Sequence, residues 1–595
     1  MILQSLNDLY NRLSEDPEKG LPKPGYSLQN ITFRVIIKRD GSCVDIEDAR
    51  QEIIELTKSG RERKNLRSIS LLVPGQGKPP GSGLNPCFLW DNAAYMLGYR
   101  NEDPNPERTE ASFEAFKKRH LDLEESVNDP DFSAVCRFLE KWNPEEAVNY
   151  PDLLEVGSGF GLFQISGETS YVHQSPGIDR WWKEEIEESA TGEDGFCLVT
   201  GKREPVAILH DPPIKGVMGA QSMGAKLVSF NFKSTESFRK EQGSNSPVGE
   251  SAAFGYCNAL NYLLAERSRR FRLGDATTVF WTDQPTPAEE LLPFMMAGIP
   301  EAEDDRVKAR LQKILEKISR GTLANDDLGN AEVRYYILGL SPNAARLSVR
   351  FWLTGTLGEL TANLRKHFQD IQIVRTWDET NSKKPEPIAP TAYQLLRQSS
   401  RDADGIPPLL AGSLMRAILL GSRYPDSLIN AVMNRIRVVE KNPKGEGTMD
   451  NVNYFRASIL KGWLVRNHHQ SISTMLDETN TNTGYRLGRL FAALEKTQQD
   501  ALPGINATIR ERFYSSASAT PRAVFGRLLR TYPHHLAKLE PGAKVNRERL
   551  IQEILTAVND FPAHMNLQNQ AQFALGYYHQ RKDFFTKKEP SVAET

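Results

Sequence analysis

Residues 196–242 read FCLVTGKREPVAILHDPPIKGVMGAQSMGAKLVSFNFKSTESFRKEQ, and the organisation of the chain follows from what this stretch can form. Residues 206–209 and 227–230 are apolar runs of the length of buried strands, so two short strands are predicted there. Between them lies a loop of small residues: Gly216, Gly219, Ala220, Gln221, Ser222, Gly224 and Ala225. Glycine lets a backbone come close to a ligand and take left-handed conformations without strain. Gln221, Ser222 and Asn231 supply hydrogen-bonding groups, and Lys215, Lys226 and Lys233 supply positive charge. Residues 201–240 hold seven Lys or Arg against three Asp or Glu, a local +4 in a chain of net charge −2. Close approach, amides that read base edges and cations that hold phosphates are what a nucleic-acid contact loop requires. The alternative is a tight crossover between two strands, with no ligand.

At 595 residues, 39% hydrophobic and 25% charged, the chain has an ordinary globular composition and length for three or four domains. Its net charge excludes a histone-like polycation and leaves any nucleic-acid contact to local patches. No apolar run approaches the roughly 20 residues of a membrane span, so no membrane partner is expected. The N-terminal MILQSLNDLYNRLSEDPEKG reads as an amphipathic helix and not as a signal peptide. Cys43, Cys87, Cys136, Cys197 and Cys257 are scattered and odd in number, which suits reduced thiols and a cytoplasmic location. None of them pairs at C-x-x-C spacing, so no zinc ribbon and no metal cofactor are expected.

The fold class reads as an α+β multidomain N-terminal region followed by an all-α helical bundle. Residues 32–38 alternate as a strand, and Asp40-Gly41 is a hairpin turn signal. The Gly/Pro-rich residues 74–83 form a loop that, with Lys78 and the nearby Asn85, either reaches a DNA groove or is a bare solvent loop. Residues 104–149 are helical, with Phe113, Phe116 and Leu121 on the inner face. A helix over 248–267 ends in a cluster including Arg267, Arg269 and Arg270, which is either a helix C-terminal cap or a phosphate patch. Strands are predicted over 276–282, 333–340 and 346–352, the last two joined by a turn at 341–343. A polar linker occupies 381–390, and helical stretches follow, near 407–421, 424–439, 451–467, 484–499, 503–515, 521–539, 544–560 and 568–582.

No motif for catalysis emerges. His468-His469 and His534-His535 are adjacent, about 100° apart on a helix, which does not make a metal site. Residues 153–161, LLEVGSGFG, imitate the cofactor loop of S-adenosylmethionine methyltransferases. That loop must open a helix, whereas Phe163 and Ile165 alternate as a strand. His210-Asp211, followed by Pro212 and Pro213, reads as a turn. No catalytic residue is assigned.

Several longer motifs occur in order: SGLNPCFLWDNAAYMLG (82–98), CLVTGK (197–202), GVMGAQSMGAKLVSFN (216–231) and NTNTGYRLGRLFAALE (480–495). With Lys240-Glu241-Gln242-Gly243, Ser246-Pro247-Val248 and Ala252-Ala253-Phe254, they resemble the large subunit of the type I-C CRISPR interference complex, Cascade. That subunit is a Csd-type CRISPR-associated protein, Cas family eight, subtype c. The resemblance implies a non-enzymatic subunit of an RNA-guided antiviral ribonucleoprotein that binds double-stranded DNA, recognises a short flanking motif (the PAM) and aids R-loop formation. Implied partners are the crRNA, PAM-bearing DNA, the backbone and crRNA-processing Cascade subunits, a small helical subunit, and a helicase–nuclease recruited after R-loop formation.

On this reading Asn85, Gln221 and Asn231 contact bases, and Lys78, Lys215, Lys226 and Lys233 contact phosphates. Gly219 and Gly224 let the loop enter a groove, Ser222 adds a hydrogen bond, and Arg267, Arg269 and Arg270 add cations. Residues 1–380 become the PAM-recognition and filament-foot region, 381–474 a helical connector, and 475–595 a bundle resembling the small subunit. The resemblance also implies separate production of that bundle from an internal start at Met475. The sequence departs from the family at Lys78-Pro79-Pro80, where members carry a Lys/Arg-Thr-Ser-like run. Competing readings are a metal-dependent nuclease and, on the glycines of 157–161, a methyltransferase.

Overall fold

Ile31, Phe33, Val35 and Ile37 are buried and alternate with more exposed neighbours, the period of two that makes Tyr26–Ile37 a strand with one face in a core. The structure is a computed structural model. It describes residues 2–16, 19, 21–56, 62–78, 83–156, 159–188, 193–230, 232–266, 268–297, 305–322, 324–378, 382, 385–402, 405–438, 451–505 and 507–585. The chain divides into two compact units, Met1–Lys215 with Gln221–Tyr262, and Gly216–Ala220 with Leu263–Thr595.

The first unit begins with α1 (Ile2–Ser14), whose Leu6, Leu9, Tyr10 and Leu13 make the buried stripe of an amphipathic helix. Then come β1 (Tyr26–Ile37), β2 (Cys43–Asp48), β3 (Gln51–Leu56), β4 (Glu62–Arg67), β5 (Ile69–Pro74), β6 (Trp90–Asn92) and α2 (Ala93–Met96). α3 (Pro106–Val127), α4 (Pro130–Lys141), α5 (Pro151–Val156), β7 (Phe160–Ile165) and α6 (Pro176–Glu188) follow. The unit ends with β8 (Asp194–Phe196), β9 (Arg203–Pro205) and most of α7 (Glu250–Ala265).

β1 organises this unit: its first half pairs with β5 and its second half with β2, both antiparallel, while β7 pairs with it in parallel and carries β6. A parallel neighbour needs a long crossover, supplied here by the helices between β6 and β7. Those helices bury Phe113, Phe116, Phe132 and Phe138 against Phe33, Val35 and Phe163. The predicted turn is present: Gly41 has φ +87° and its N–H reaches the Lys38 carbonyl at 2.9 Å. Of the glycines in that motif, Gly159 leads into strand β7 and Gly161 lies within it, so these described residues open a strand where a methyltransferase loop needs a helix.

The second unit opens with an antiparallel meander, β10 (Arg270–Leu273) and β11 (Ala276–Thr282), then β12 (Arg334–Asn343) and β13 (Arg346–Thr356). Between β11 and β12 lie α8 (Ala288–Ala297), α9 (Asp305–Arg320) and α10 (Asn325–Leu328). After β13 every described element is helical. First come α11 (Leu357–Ile371), α12 (Ala392–Leu396), α13 (Pro408–Leu419), α14 (Asp426–Arg437) and α15 (Tyr454–His468). α16 (Thr483–Ala501), α17 (Ile509–Ala519), α18 (Pro521–Leu536), α19 (Pro541–Thr556) and α20 (Leu567–Phe585) complete it. This is the expected α+β region with a helical C-terminal part.

One core runs from Phe271 to Tyr578, so it continues across the expected linker at 381–390 and across Met475. The Arg466 guanidinium, buried against the Asp370 carboxylate at 2.6 Å, joins α15 to α11. α16 and α20 cross at glycines: a Cβ on Gly488 would lie 2.0 Å from the Phe573 carbonyl oxygen.

Three local expectations are corrected. Residues 206–209 and 227–230 are not strands; they make isolated bridges at most, such as Val206 with Gly249, and Ile208 and Leu209 are exposed. Prolines at 205, 212 and 213 offer no N–H to a ladder, and among the described residues no named strand pairs with these runs. The turn between β12 and β13 is Ala344-Ala345, with Ala344 at φ +52°, because the pairing extends to Asn343 with Arg346. Arg270 lies on strand β10 and not at a helix end, since α7 stops at Ala265 and β10 begins at Arg270.

Candidate nucleic-acid interface

The segment between β9 and α7 is almost entirely irregular, yet its backbone is fixed at a stem. Ile214 and Ala225 exchange two N–H···O=C bonds, each 2.9 Å. Beside them the Lys226 ammonium donates to the Asp211 carboxylate and to the His210 carbonyl at 2.6 Å. His210 is buried with Nδ1 2.7 Å from the Tyr256 hydroxyl of α7. Burial, aided by the Lys226 cation, pushes its pKa down to about 4, so the ring is neutral at pH 7. Asn261, also on α7, donates to the Pro213 carbonyl at 3.0 Å and accepts from the Lys215 N–H at 2.8 Å.

Beyond that stem Gln221, Ser222 and Met223 are exposed. Gly224 has φ +97°, and a Cβ there would lie 2.7 Å from Pro213 Cβ, so the return of the loop requires glycine. Residues Gly216–Ala220 belong to the second unit. There the Met218 N–H donates to Thr277 Oγ1 at 3.0 Å, and Arg270 donates to the Gly216 carbonyl at 3.3 Å. Gly219 turns at φ +80°.

The residues singled out from sequence fall into three groups. Asn85, Gln221, Ser222, Lys215 and Lys233 are exposed, and neither lysine pairs with a carboxylate among the described residues. Lys78, Lys226 and Arg269 are already engaged. Lys78 binds the fully buried Asp91 carboxylate and lies 3.2 Å from the centre of the Tyr95 ring. Arg269 pairs with the buried Glu289 at 3.0 Å. Internal carboxylates hold these three charges, so their first role is to fix the loop ends and the strand edge. Asn231 and Arg267 lie outside the described residues. Lys78 and Asn85 are brought together at Tyr95, whose hydroxyl accepts the Asn85 N–H at 3.3 Å.

Sequence reasoning missed two features. A cleft of about 820 Å³ in the first unit is walled by Asn30, Asn92, Asn101, Arg100, Arg108 and Phe160, with no carboxylate among the described residues that line it. Amides, guanidiniums and an aromatic ring suit an anionic ligand with hydrogen-bonding edges. These residues come from strands β1, β6 and β7, from helix α3 and from the loop before that helix, so no local pattern marks them. The second feature is exposure: Phe196, Leu198, Ile208, Leu209, Met223, Phe232 and Phe238 all stand in solvent within one stretch of the first unit.

The family model described as CRISPR-associated protein (Cas_Csd1) matches residues 6–585. The chain belongs to that family. No individually curated protein matches it. In this Csd1-family chain no group of three potential metal ligands gathers among the described residues. The Cys197 sulfur, in the CLVTGK motif, accepts the Val199 and Thr200 N–H groups at 3.4 Å each and closes a tight turn. No described helix is long and apolar enough to cross a membrane.

Proposed function

We propose that this CRISPR-associated protein is the large subunit of a type I-C surveillance complex. It binds double-stranded DNA, reads the PAM through the exposed amides of its two loops, and aids duplex opening before a helicase–nuclease is recruited. The observation that carries the reading is the loop closed by Ile214 and Ala225, where a hydrogen-bonded stem presents Gln221 and Ser222 to solvent on glycine turns. A fixed stem limits the entropy lost when such a loop enters a groove. In this division of labour guide pairing reads the long sequence and protein loops read the short flank. The crRNA and the other Cascade subunits are its partners, and the chain itself does no bond-breaking chemistry.

The test is Gln221→Ala and Asn85→Ala in the assembled complex, with PAM and scrambled-PAM duplexes compared in a shift assay. A lost base contact weakens PAM binding by about 1–3 kcal/mol, or roughly 5- to 150-fold, without impairing assembly. Variants that keep the parent's preference for the PAM overturn the assignment. Divalent-metal-dependent cleavage by the purified chain, abolished by one carboxylate substitution, would favour the nuclease reading instead.

A further inference from the structure

Phe238 is 93% exposed, more than any other large apolar side chain among the described residues. Its backbone sits at φ +52° and that of Arg239 at +60°, both in the left-handed region. The Lys240 N–H closes the turn onto the Ser237 carbonyl at 2.9 Å. Two left-handed central residues make a type I′ turn, a geometry for which Asn-Gly is the usual choice. Here the two places are taken by a phenylalanine and an arginine, neither of which is at ease in it.

The turn is nevertheless firmly held. Asn245 Oδ1 accepts the Ser237 N–H at 2.8 Å, while its Nδ2 donates to the carbonyls of Lys240 at 2.9 Å and Gln242 at 3.0 Å. Just beyond, Gly243 is packed so tightly that a Cβ would lie 2.2 Å from the Ala207 carbonyl oxygen. The scaffold therefore imposes a strained conformation whose visible result is one aromatic ring projected into water. Strain over-determined by its surroundings points to function.

We infer that Phe238 is a stacking platform for one unpaired nucleobase of the bound nucleic acid. The chemistry of the neighbours selects this occupant over an apolar protein pocket. Lys233, Arg239 and Lys240 are exposed and pair with no carboxylate among the described residues, though Glu236 and Glu241 offset part of their charge. A ring flanked by cations is how a single strand is held: the base stacks and the phosphates meet the charges. Stacking is indifferent to base identity, so this contact stabilises an opened strand and adds no sequence preference. The inference rests on the proposed nucleic-acid-binding role and names the residue that would receive an opened base.

Full-length chain is titrated with a labelled single strand, a fully paired duplex and the same duplex carrying a three-nucleotide bubble. A 5-iododeoxyuridine placed in the bubble crosslinks on irradiation to an aromatic ring stacked on it, and peptide mapping identifies the ring. The expected crosslink is at Phe238. Phe238→Ala should weaken single-strand and bubble binding by roughly 5- to 150-fold and leave the paired duplex unchanged. Phe238→Trp should retain binding, and near-native circular dichroism of both variants is expected of so exposed a position.

Bubble binding by Phe238→Ala equal to the parent's overturns the inference while leaving the proposed function intact. So does a variant that binds the strand normally but fails to assemble with the other subunits, which would make the ring a protein contact. A parent chain, free and assembled, that binds none of the three nucleic acids sinks both.

Discussion

Replacing Lys226 with methionine removes an ammonium that the stem of the contact loop uses internally, and leaves Asp211 without its partner. The pair is mostly shielded, with the two side chains 24% and 29% exposed. Hydrogen bonds to a charged group contribute about 1.5–3 kcal/mol. Water can reach Asp211 once the lysine is gone, so the lower part of that range applies, about 1.5–2 kcal/mol. For a unit of this size that is a fall in Tm of roughly 3–8 °C. The salt dependence of duplex binding should not change, because no phosphate contact is lost. Lys215→Ala and Lys233→Ala should do the opposite: each lowers the slope of log K against log salt by about 0.9 and leaves Tm alone. Thermal melts and fluorescence-anisotropy titrations over a salt series separate the two behaviours. A Lys226→Met variant with an unchanged Tm and a slope reduced by a full phosphate's worth would refute the assignment of Lys226 to the fold.

Gly488→Ala should destabilise the helical region by about 1–3 kcal/mol, because the added Cβ meets backbone and not a movable side chain. Gly526→Ala on α18, where nothing lies within 4 Å, should instead stabilise by up to about 1 kcal/mol, and denaturant melts that rank the two the other way would discredit the close α16–α20 crossing. Burial holds His120, His367 and His579 at about 3, below their ordinary value of 6.5. The unfolded chain therefore takes up protons first as pH falls through 6.5. Stability present above that value should decline toward pH 3, by at most about 1.4 kcal/mol per unit for each histidine; equal stability at pH 5 and pH 7 would contradict this. A separately made product beginning at Met475 predicts that expression of the native gene gives a C-terminal fragment of roughly 14 kDa, scaled from chain length, that disappears on Met475→Leu. Phe573 and Tyr578 of α20 share one buried core with Leu460 and Leu464 of α15, so that fragment should expose an apolar patch that binds the dye ANS more strongly than the full chain does.

Local periodicity determined much of this protein by itself. The alternation around Phe33 and Val35 wrote β1, the Asp40-Gly41 signal wrote its turn, and apolar spacing placed most C-terminal helices within a few residues, because each of these is set by neighbours in the chain. The family, too, was legible in its motifs, and the match over residues 6–585 agrees. What periodicity could not see is partnership at a distance. Residues 206–209 look like a strand, but strands require a continuous neighbour, and only the fold reveals that among the described residues they gain no more than an isolated bridge, Val206 with Gly249. Lys78, Lys215, Lys226 and Lys233 are equivalent as letters; Asp91 and Asp211, 13 and 15 residues from the lysines they bind, decide which charges are spent inside the protein. Likewise the strained exposure of Phe238 depends on Asn245 and Gly243, whose hydrogen bonds and tight packing exist only once the chain has folded back.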